Sequence, residues 1–251
     1  MIKLAENPDI FKNLCSSDTF GTRIYALFSA YSTKYNFADF WYQIVDDNIT
    51  CAISKISGDI TICASEDADF EELAEFLDVV GYSSVTCEES IAKKLNLEYD
   101  SEGWIVEFTG DIVNYDDDFE NSCDLAEIYD LIKSQGVGFL SDKQNWIADA
   151  SFRINHGISR LALIKKDSGP ASSAMVLFET DDAVFLGAVA TYPEYRGQGL
   201  SRKIIHHLLS ESNGKKAHLF CRKDTIVEFY KSIGFEIIGT FTVTYSKGNE
   251  K

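Results

Sequence analysis

No run of 18 apolar residues occurs in the 251-residue chain, so no stretch of it reads as a hydrophobic membrane-crossing helix. The opening Met1-Ile-Lys-Leu-Ala-Glu-Asn-Pro8 lacks the apolar centre of a secretory leader, and a cytoplasmic protein without membrane attachment is expected. There is no C-x-x-C pair. Cys15, Cys51, Cys63, Cys87, Cys123 and Cys221 lie scattered, and in an unexported chain they read as free, mostly buried thiols rather than a disulfide framework or a zinc site. Positive charge is scarce: the formal net charge is −17, which makes nucleic acid a poor partner. Neither G-x-x-x-x-G-K-[ST] nor G-x-G-x-x-G is present, so a nucleoside-triphosphate loop and a dinucleotide fingerprint are both excluded.

What charge there is lies unevenly. Residues 1–124 carry 26 acidic and 7 basic side chains, a balance of −19, while residues 125–251 carry 14 and 16, a balance of +2. An acidic half joined to a near-neutral half points to two units with different tasks. The polar stretch from Asp111 to Asp118 marks the boundary, giving units 1–110 and 111–251.

In the front half, Phe11, Leu14, Ile24, Leu27, Phe28 and Tyr31 fall on an amphipathic stripe that predicts one or two helices within residues 5–36. Phe40–Val45, Thr50–Ser54 and Asp59–Cys63 then change period and read as a β-meander turned at Asp46-Asp47-Asn48 and Ser57-Gly58. A helix over Phe70–Leu77 with Asp67 or Asp69 as its cap, a strand at 82–87, a short helix over Glu89–Leu97 and a strand at Trp104–Phe108 complete this half. The second half reads as two helices (125–132 and 146–154), strands at Arg160–Lys165 and Ala174–Phe178 around the Asp167-Ser-Gly-Pro170 turn, and a strand at Ala183–Thr191. A helix, a strand at Ala217–Cys221, a helix over Thr225–Ile233 stopped by Gly234, and a final strand pair over Phe235–Tyr245 follow. The fold class is thus α+β with a mixed sheet.

The informative stretch is Tyr192-Pro-Glu-Tyr-Arg-Gly-Gln-Gly-Leu-Ser201. It follows an apolar, β-branched-rich strand and opens a helix whose apolar face is Leu200, Ile204, Ile205, Leu208 and Leu209. A glycine-punctuated turn from strand to helix leaves unpaired N–H groups at the positive end of the helix dipole, and that is an anion site. Gly197 and Gly199 permit close approach and unusual dihedrals, and Arg196 and Arg202 add charge. The guest this cradle fits is a phosphate or pyrophosphate.

Arg196-Gly-Gln-Gly-Leu-Ser201 resembles the R/Q-x-x-G-x-G/A loop of the GNAT superfamily of acyl-CoA-dependent N-acyltransferases. Thr191-Tyr-Pro-Glu-Tyr-Arg-Gly197 is similar to the V-x-P-x-Y-R-G prefix, with Thr191 in place of Val, and Ser201 stands where the last Gly or Ala is usual. Phe229-Tyr-Lys-Ser-Ile-Gly-Phe235 is similar to the closing F/L-Y-x-x-x-G-F. The resemblance covers about residues 111–251. It implies a GNAT-like fold, acetyl-CoA as cosubstrate, no metal, and a primary amine as acceptor. The acidic front half favours a cationic one, and the resemblance admits a homodimer.

By that resemblance Arg196, Gly197, Gln198, Gly199, Leu200, Ser201 and Arg202 hold the pyrophosphate, Val189, Ala190 and Thr191 pair with the pantetheine arm, and the Val189 N–H polarises the thioester. Tyr230 matches the tyrosine beside the sulfur and would protonate the leaving thiolate. Lys223 stands where many members have an asparagine, which opens a contact with a phosphate instead. For the base, His218 lies on the next strand and Glu179, Asp181 and Asp182 on the preceding hairpin; ordered water is a further route. His206-His207 occupy adjacent helix positions that do not converge on one ligand. The front half repeats the outline faintly, with Ser65-Glu-Asp-Ala-Asp-Phe-Glu-Glu72 where the loop should be. Its five carboxylates would repel a diphosphate, so this half is expected to be a degenerate copy. The rival reading is a non-catalytic CoA-binding or protein-interaction module, motivated by Lys223 and the lack of an obvious base.

Overall fold

The computed structural model describes residues 1–16, 18–136, 140–167, 169–223 and 226–247. Strand β1 (Ile2–Leu4), too short to be legible beforehand, precedes α1 (Lys12–Cys15) and α2 (Thr19–Tyr31). The Asp18 carboxylate caps α2 by accepting from the Gly21 N–H at 2.7 Å. The meander forms as expected: β2 (Ala38–Val45), β3 (Asn48–Ile56) and β4 (Asp59–Ala64) are joined by turns with positive φ at Asp46, Asp47, Ser57 and Gly58. Helix α3 (Phe70–Val80) is capped by Asp69, and β5 (Ser84–Glu88), α4 (Glu89–Lys94) and β6 (Ser101–Phe108) follow.

The second half contains α5 (Leu125–Lys133), α6 (Lys143–Asn155), β7 (Arg160–Lys166), β8 (Gly169–Glu179), β9 (Ala183–Thr191), α7 (Leu200–Glu211), β10 (Lys216–Arg222), α8 (Ile226–Lys231) and β11 (Phe235–Tyr245). The expected final strand pair is one continuous strand. Its apparent break is a bulge between Ile237 and Gly239 in the pairing with β6. Thr225, at the expected start of the last helix, and Ser168, in the β7–β8 turn, lie outside the described residues.

All eleven strands join one sheet, in the order β1-β2-β3-β4-β5-β11-β6-β10-β9-β8-β7. The last strand of each half is seated in the other half's territory. β6 pairs with β10 from His218↔Glu107 to Arg222↔Gly103, and β11 pairs with β5 from Phe241↔Glu88 to Tyr245↔Ser84. Each half thus completes the other's sheet.

On one face, Ile204, Ile205 and Leu208 of α7, Tyr230 of α8 and Ile233 just after it pack on Leu186, Leu219 and Phe235, and Val106, Trp104 and Phe108 of β6 belong to the same core. Each fully buried Leu or Ile here contributes about 2 kcal/mol by transfer from water. On the other face α2 touches both β4 and β8, although five strands separate these in the sheet, so the sheet must curl around the helix. Phe20, Phe28, Phe40, Phe178 and Phe185 fill that interior. Five of the six cysteines are buried, and none forms a disulfide among the described residues. Among the described residues no helix is long and apolar enough to cross a membrane, and no His/Cys/Asp/Glu cluster has metal-holding geometry.

Candidate active site

The turn from β9 into α7 has the backbone its glycines require. Gly197 and Gly199 take φ of +77° and +72°, and a Cβ built on either meets no atom within 4 Å. These glycines are therefore demanded by dihedral angle, and the space before them is open. No side chain caps α7. Lys203 N–H is bonded to Gly199 O at 3.1 Å, so the N–H groups of Leu200, Ser201 and Arg202 precede the first intrahelical bond and face out of the helix start.

Two arginines brace the turn from opposite sides. Arg196 donates to Thr191 O (3.3 Å) and to Gln135 Oε1 beyond α5 (2.9 Å), while Arg202 donates to Ser232 Oγ beyond α8 (3.1 Å). Both are exposed, and Gln198 is open to solvent between them.

The two departures from the family motif touch each other. Thr191 Oγ1 and Ser201 Oγ are 2.6 Å apart, and Ser172 Oγ lies 2.8 Å from Thr191 and donates to Ala190 O at 3.0 Å. A half-buried chain of hydroxyls thus pins the first turn of α7 to β9 and β8. Valine at 191 with alanine at 201 would pack there without a hydrogen bond, so the two polar replacements compensate one another.

Behind the turn the sheet opens. Parallel pairing of β9 with β10 runs from Ala183↔Lys216 to Leu186↔Leu219 and ends there, although β9 continues to Thr191 and β10, still paired to β6, to Arg222. β9 also bulges towards β8: its register shifts between Met175↔Gly187 and Ser173↔Ala190, with Ala188 at φ +51° and its carbonyl 3.5 Å from Ser173 Oγ. Tyr192 N–H bonds Ala171 O across β8, so by alternation the N–H groups of Thr191 and Val189 face the opposite edge, into the gap. The bulge carried no sequence signal, because alanine at positive φ is unfavourable and nothing in the local pattern announces it.

Tyr230 of α8 is 6% exposed and packed edge-on to Phe229 and Phe235. Burial, with the nearby Cys221 adding to it, pushes the phenol well above its ordinary value, so it stays protonated. Lys223 is engaged: its Nζ lies 2.8 Å from Glu102 Oε1 and 4.6 Å from the centre of the Trp104 ring.

The two candidate bases are placed differently. His218 is buried just below the end of the β9–β10 pairing, with Nε2 2.8 Å from Glu107 Oε2 and Nδ1 buried without a partner among the described residues. Glu179 stands at the far end of β8, beside the start of β9, held by Lys215 (2.8 Å) and Arg160 (2.9 Å). Burial raises its pKa, but those two cations outweigh burial and keep it below the usual carboxylate range, the wrong direction for a base. Asp181 pairs with Lys12 on the same hairpin turn. Neither acid is brought to the gap.

His206 is buried on α7 and accepts the Val113 N–H at Nδ1 (3.3 Å), while His207 stacks on Phe119; both serve to hold the segment between the halves against α7. Trp41 packs edge-on to Phe76, and Trp146 to Tyr129. Beside the turn a recess of about 310 Å³ is lined by four carboxylates, Glu127, Asp130, Asp167 and Glu194, and by one cation, Lys166.

The front half shows the same opening with different chemistry. Pairing of β4 with β5 ends at Thr61↔Thr86, short of both strand ends. Its turn, however, has no glycine. Asp69 accepts from Glu72 N–H (3.0 Å), and Glu72 accepts from Ile2 N–H and Gln43 Nε2, both at 2.8 Å. Carboxylates fill the first turn that α7 leaves open.

Residues 158–237 match the family described as the acetyltransferase (GNAT) domain. The chain carries a GNAT domain. As a whole it has the fold of a tandem GNAT protein: it aligns with the one from the clavulanic acid biosynthesis pathway at a TM-score of 0.60 and 8% identity, covering 98% of each chain. A GCN5-related N-acetyltransferase from Sphaerobacter thermophilus aligns at a TM-score of 0.60 and 9% identity, over 98% of this chain and 95% of that one. A GNAT-family protein from Novosphingobium aromaticivorans aligns at a TM-score of 0.55 and 17% identity, over 78% of this chain and 89% of that one. No curated protein matches the sequence. The GNAT domain contains β9, the glycine turn, α7, β10, α8 and Tyr230, the elements that build the open gap.

Proposed function

We propose that the second half transfers an acetyl group from acetyl-CoA to a primary amine by direct attack on the thioester. The single observation that carries this is the pairing of an uncapped α7 start, opened by two left-handed glycines, with a gap between β9 and β10 at its foot. The turn fits a diphosphate. Outward N–H groups at a helix start favour an anion by roughly 0.3–2 kcal/mol, and Arg196 and Arg202 add formal charge. The free edge of β9 at Val189–Thr191 offers main-chain groups to an amide-bearing arm, as an added strand would use them.

The chemistry then falls to few groups. The Val189 N–H donates to the thioester oxygen as negative charge develops there; loss of one such donor costs about 3 kcal/mol in barrier. The amine lone pair forms the C–N bond, the C–S bond breaks, and Tyr230 gives its hydroxyl proton to the departing thiolate. The proton leaving the amine goes to water in the open gap, with the His218–Glu107 pair as the nearest alternative. The acid excess of the front half and the carboxylates around the recess favour a cationic acceptor. Residues 1–110 act as a degenerate copy that holds no CoA, because Asp69 and Glu72 occupy the anion position.

Calorimetry of the full chain with CoA, then thiol release from acetyl-CoA with polyamines, aminoglycosides and lysine peptides, tests this. One site per chain and turnover with a cationic amine are expected. Binding without turnover on any amine would leave a CoA-binding module, and no heat at millimolar CoA would remove the transferase reading.

A further inference from the structure

We propose that Glu102 and Trp104, both on β6 of the front half, are positioning residues for the acyl-CoA gap of the second half, an inference that rests on the reading just given. The gap exists because β10 leaves β9 after Leu219 while remaining attached to β6. What keeps β10 away from β9 is therefore a strand that belongs, in sequence, to the other unit.

The last backbone rung between them is Arg222↔Gly103. One residue further on each strand, Lys223 and Glu102 close an ion pair at 2.8 Å, and the lysine ammonium lies 4.6 Å from the Trp104 ring centre. The tether thus adds a side-chain rung beyond the end of the ladder, at the mouth of the gap. Trp104 itself stands opposite Cys221 on β10 and opposite Thr240 on β11, and packs against the core that contains Tyr230. One indole ties together the β10 end, the crossing strand β11 and the helix that carries the proposed acid.

The lysine's charge is spent inside the protein. A lysine held by a carboxylate and an aromatic face is a tether, whereas a phosphate ligand would have to leave both. The two readings of Lys223 predict opposite signs. If the pair is a tether, Glu102→Gln loosens the gap mouth and weakens CoA. If Lys223 is a phosphate ligand restrained by Glu102, the same change frees it and tightens CoA.

The side chains are 28% and 38% exposed, so the effect is limited by solvent screening to a weakening of about threefold to fivefold. The test uses the full chain, with calorimetry on CoA and steady-state kinetics on acetyl-CoA. Glu102→Gln and Lys223→Met should each raise the CoA Kd and the acetyl-CoA KM by that factor, with kcat within about twofold. The double variant should be no worse than either, and the exchange Glu102→Lys with Lys223→Glu should recover most of the loss. Tighter binding in Glu102→Gln, a wild-type KM, or a charge exchange worse than both single variants would overturn the proposal. Absence of CoA heat with the unaltered chain would instead overturn the underlying transferase reading, and this inference with it.

Discussion

Replacing Tyr230 by Phe should separate catalysis from stability. The side chain is only 6% exposed, and its ring is held in the core. The hydroxyl is not among the buried polar atoms left without a partner among the described residues, so no burial penalty is relieved by removing it and the change in stability should stay within about 0.5 kcal/mol. The ring contacts with Phe229 and Phe235 are retained by phenylalanine. For a chain of this size 1 kcal/mol moves Tm by about 2–4 °C, so a melting scan should show a midpoint within about 2 °C of the unaltered chain's. The reaction, by contrast, loses the proton donor to the thiolate, and kcat should fall by about 10²-fold or more, with little change in CoA Kd. Because burial raises the phenol's pKa, no loss of rate from its ionisation is expected up to about pH 10. A drop in Tm of several degrees would mean that the hydroxyl is hydrogen-bonded, and an unaltered kcat would remove Tyr230 from the chemistry.

Three further outcomes follow from the same structure. Gly199→Ala places a Cβ at φ +72°, costing about 1–2 kcal/mol of stability, and projects it into the space before the turn; a lower Tm with at least tenfold weaker CoA is expected, and undiminished CoA affinity would relocate the diphosphate. Burial first, and Arg202 second, hold His206 below its ordinary pKa, so the folded state binds fewer protons than the unfolded one; stability contributed above about pH 6.5 should be lost as pH falls through the lowered folded value. His206→Asn should flatten that part of the Tm–pH curve, and an unchanged slope would assign it to other groups. A fragment of residues 1–110 lacks β11, which in the whole chain lies between β5 and β6. It should show neither a cooperative melt nor dispersed amide resonances, and a well-folded fragment would mean that β5 and β6 can pair directly.

The elements that build the gap were legible because their signals are local. An apolar strand, a turn needing positive φ at two glycines and a helix stripe at 200–209 are each written within a few residues, and the structure has all three. Asp69 was one of two expected caps and is the one used. Less was visible around Lys223, whose partners Glu102 and Trp104 come from β6, more than a hundred residues earlier. The expected strand pair over Phe235–Tyr245 is a single strand, because the bulge between Ile237 and Gly239 shifts its register on β6 without ending it.

By itself the sequence determined the turn, the helix it opens and the acidity of the front half, since dihedral limits, side-chain period and formal charge act within a turn or two of chain. Only the tertiary structure decided which strand stands beside which. Hydrogen bonding between strands is blind to sequence distance, and any edge of matching register will serve, so the exchange of β6 and β11 has no local signature. That exchange makes the two halves one sheet and gives the gap a wall from the unit that carries no glycine turn.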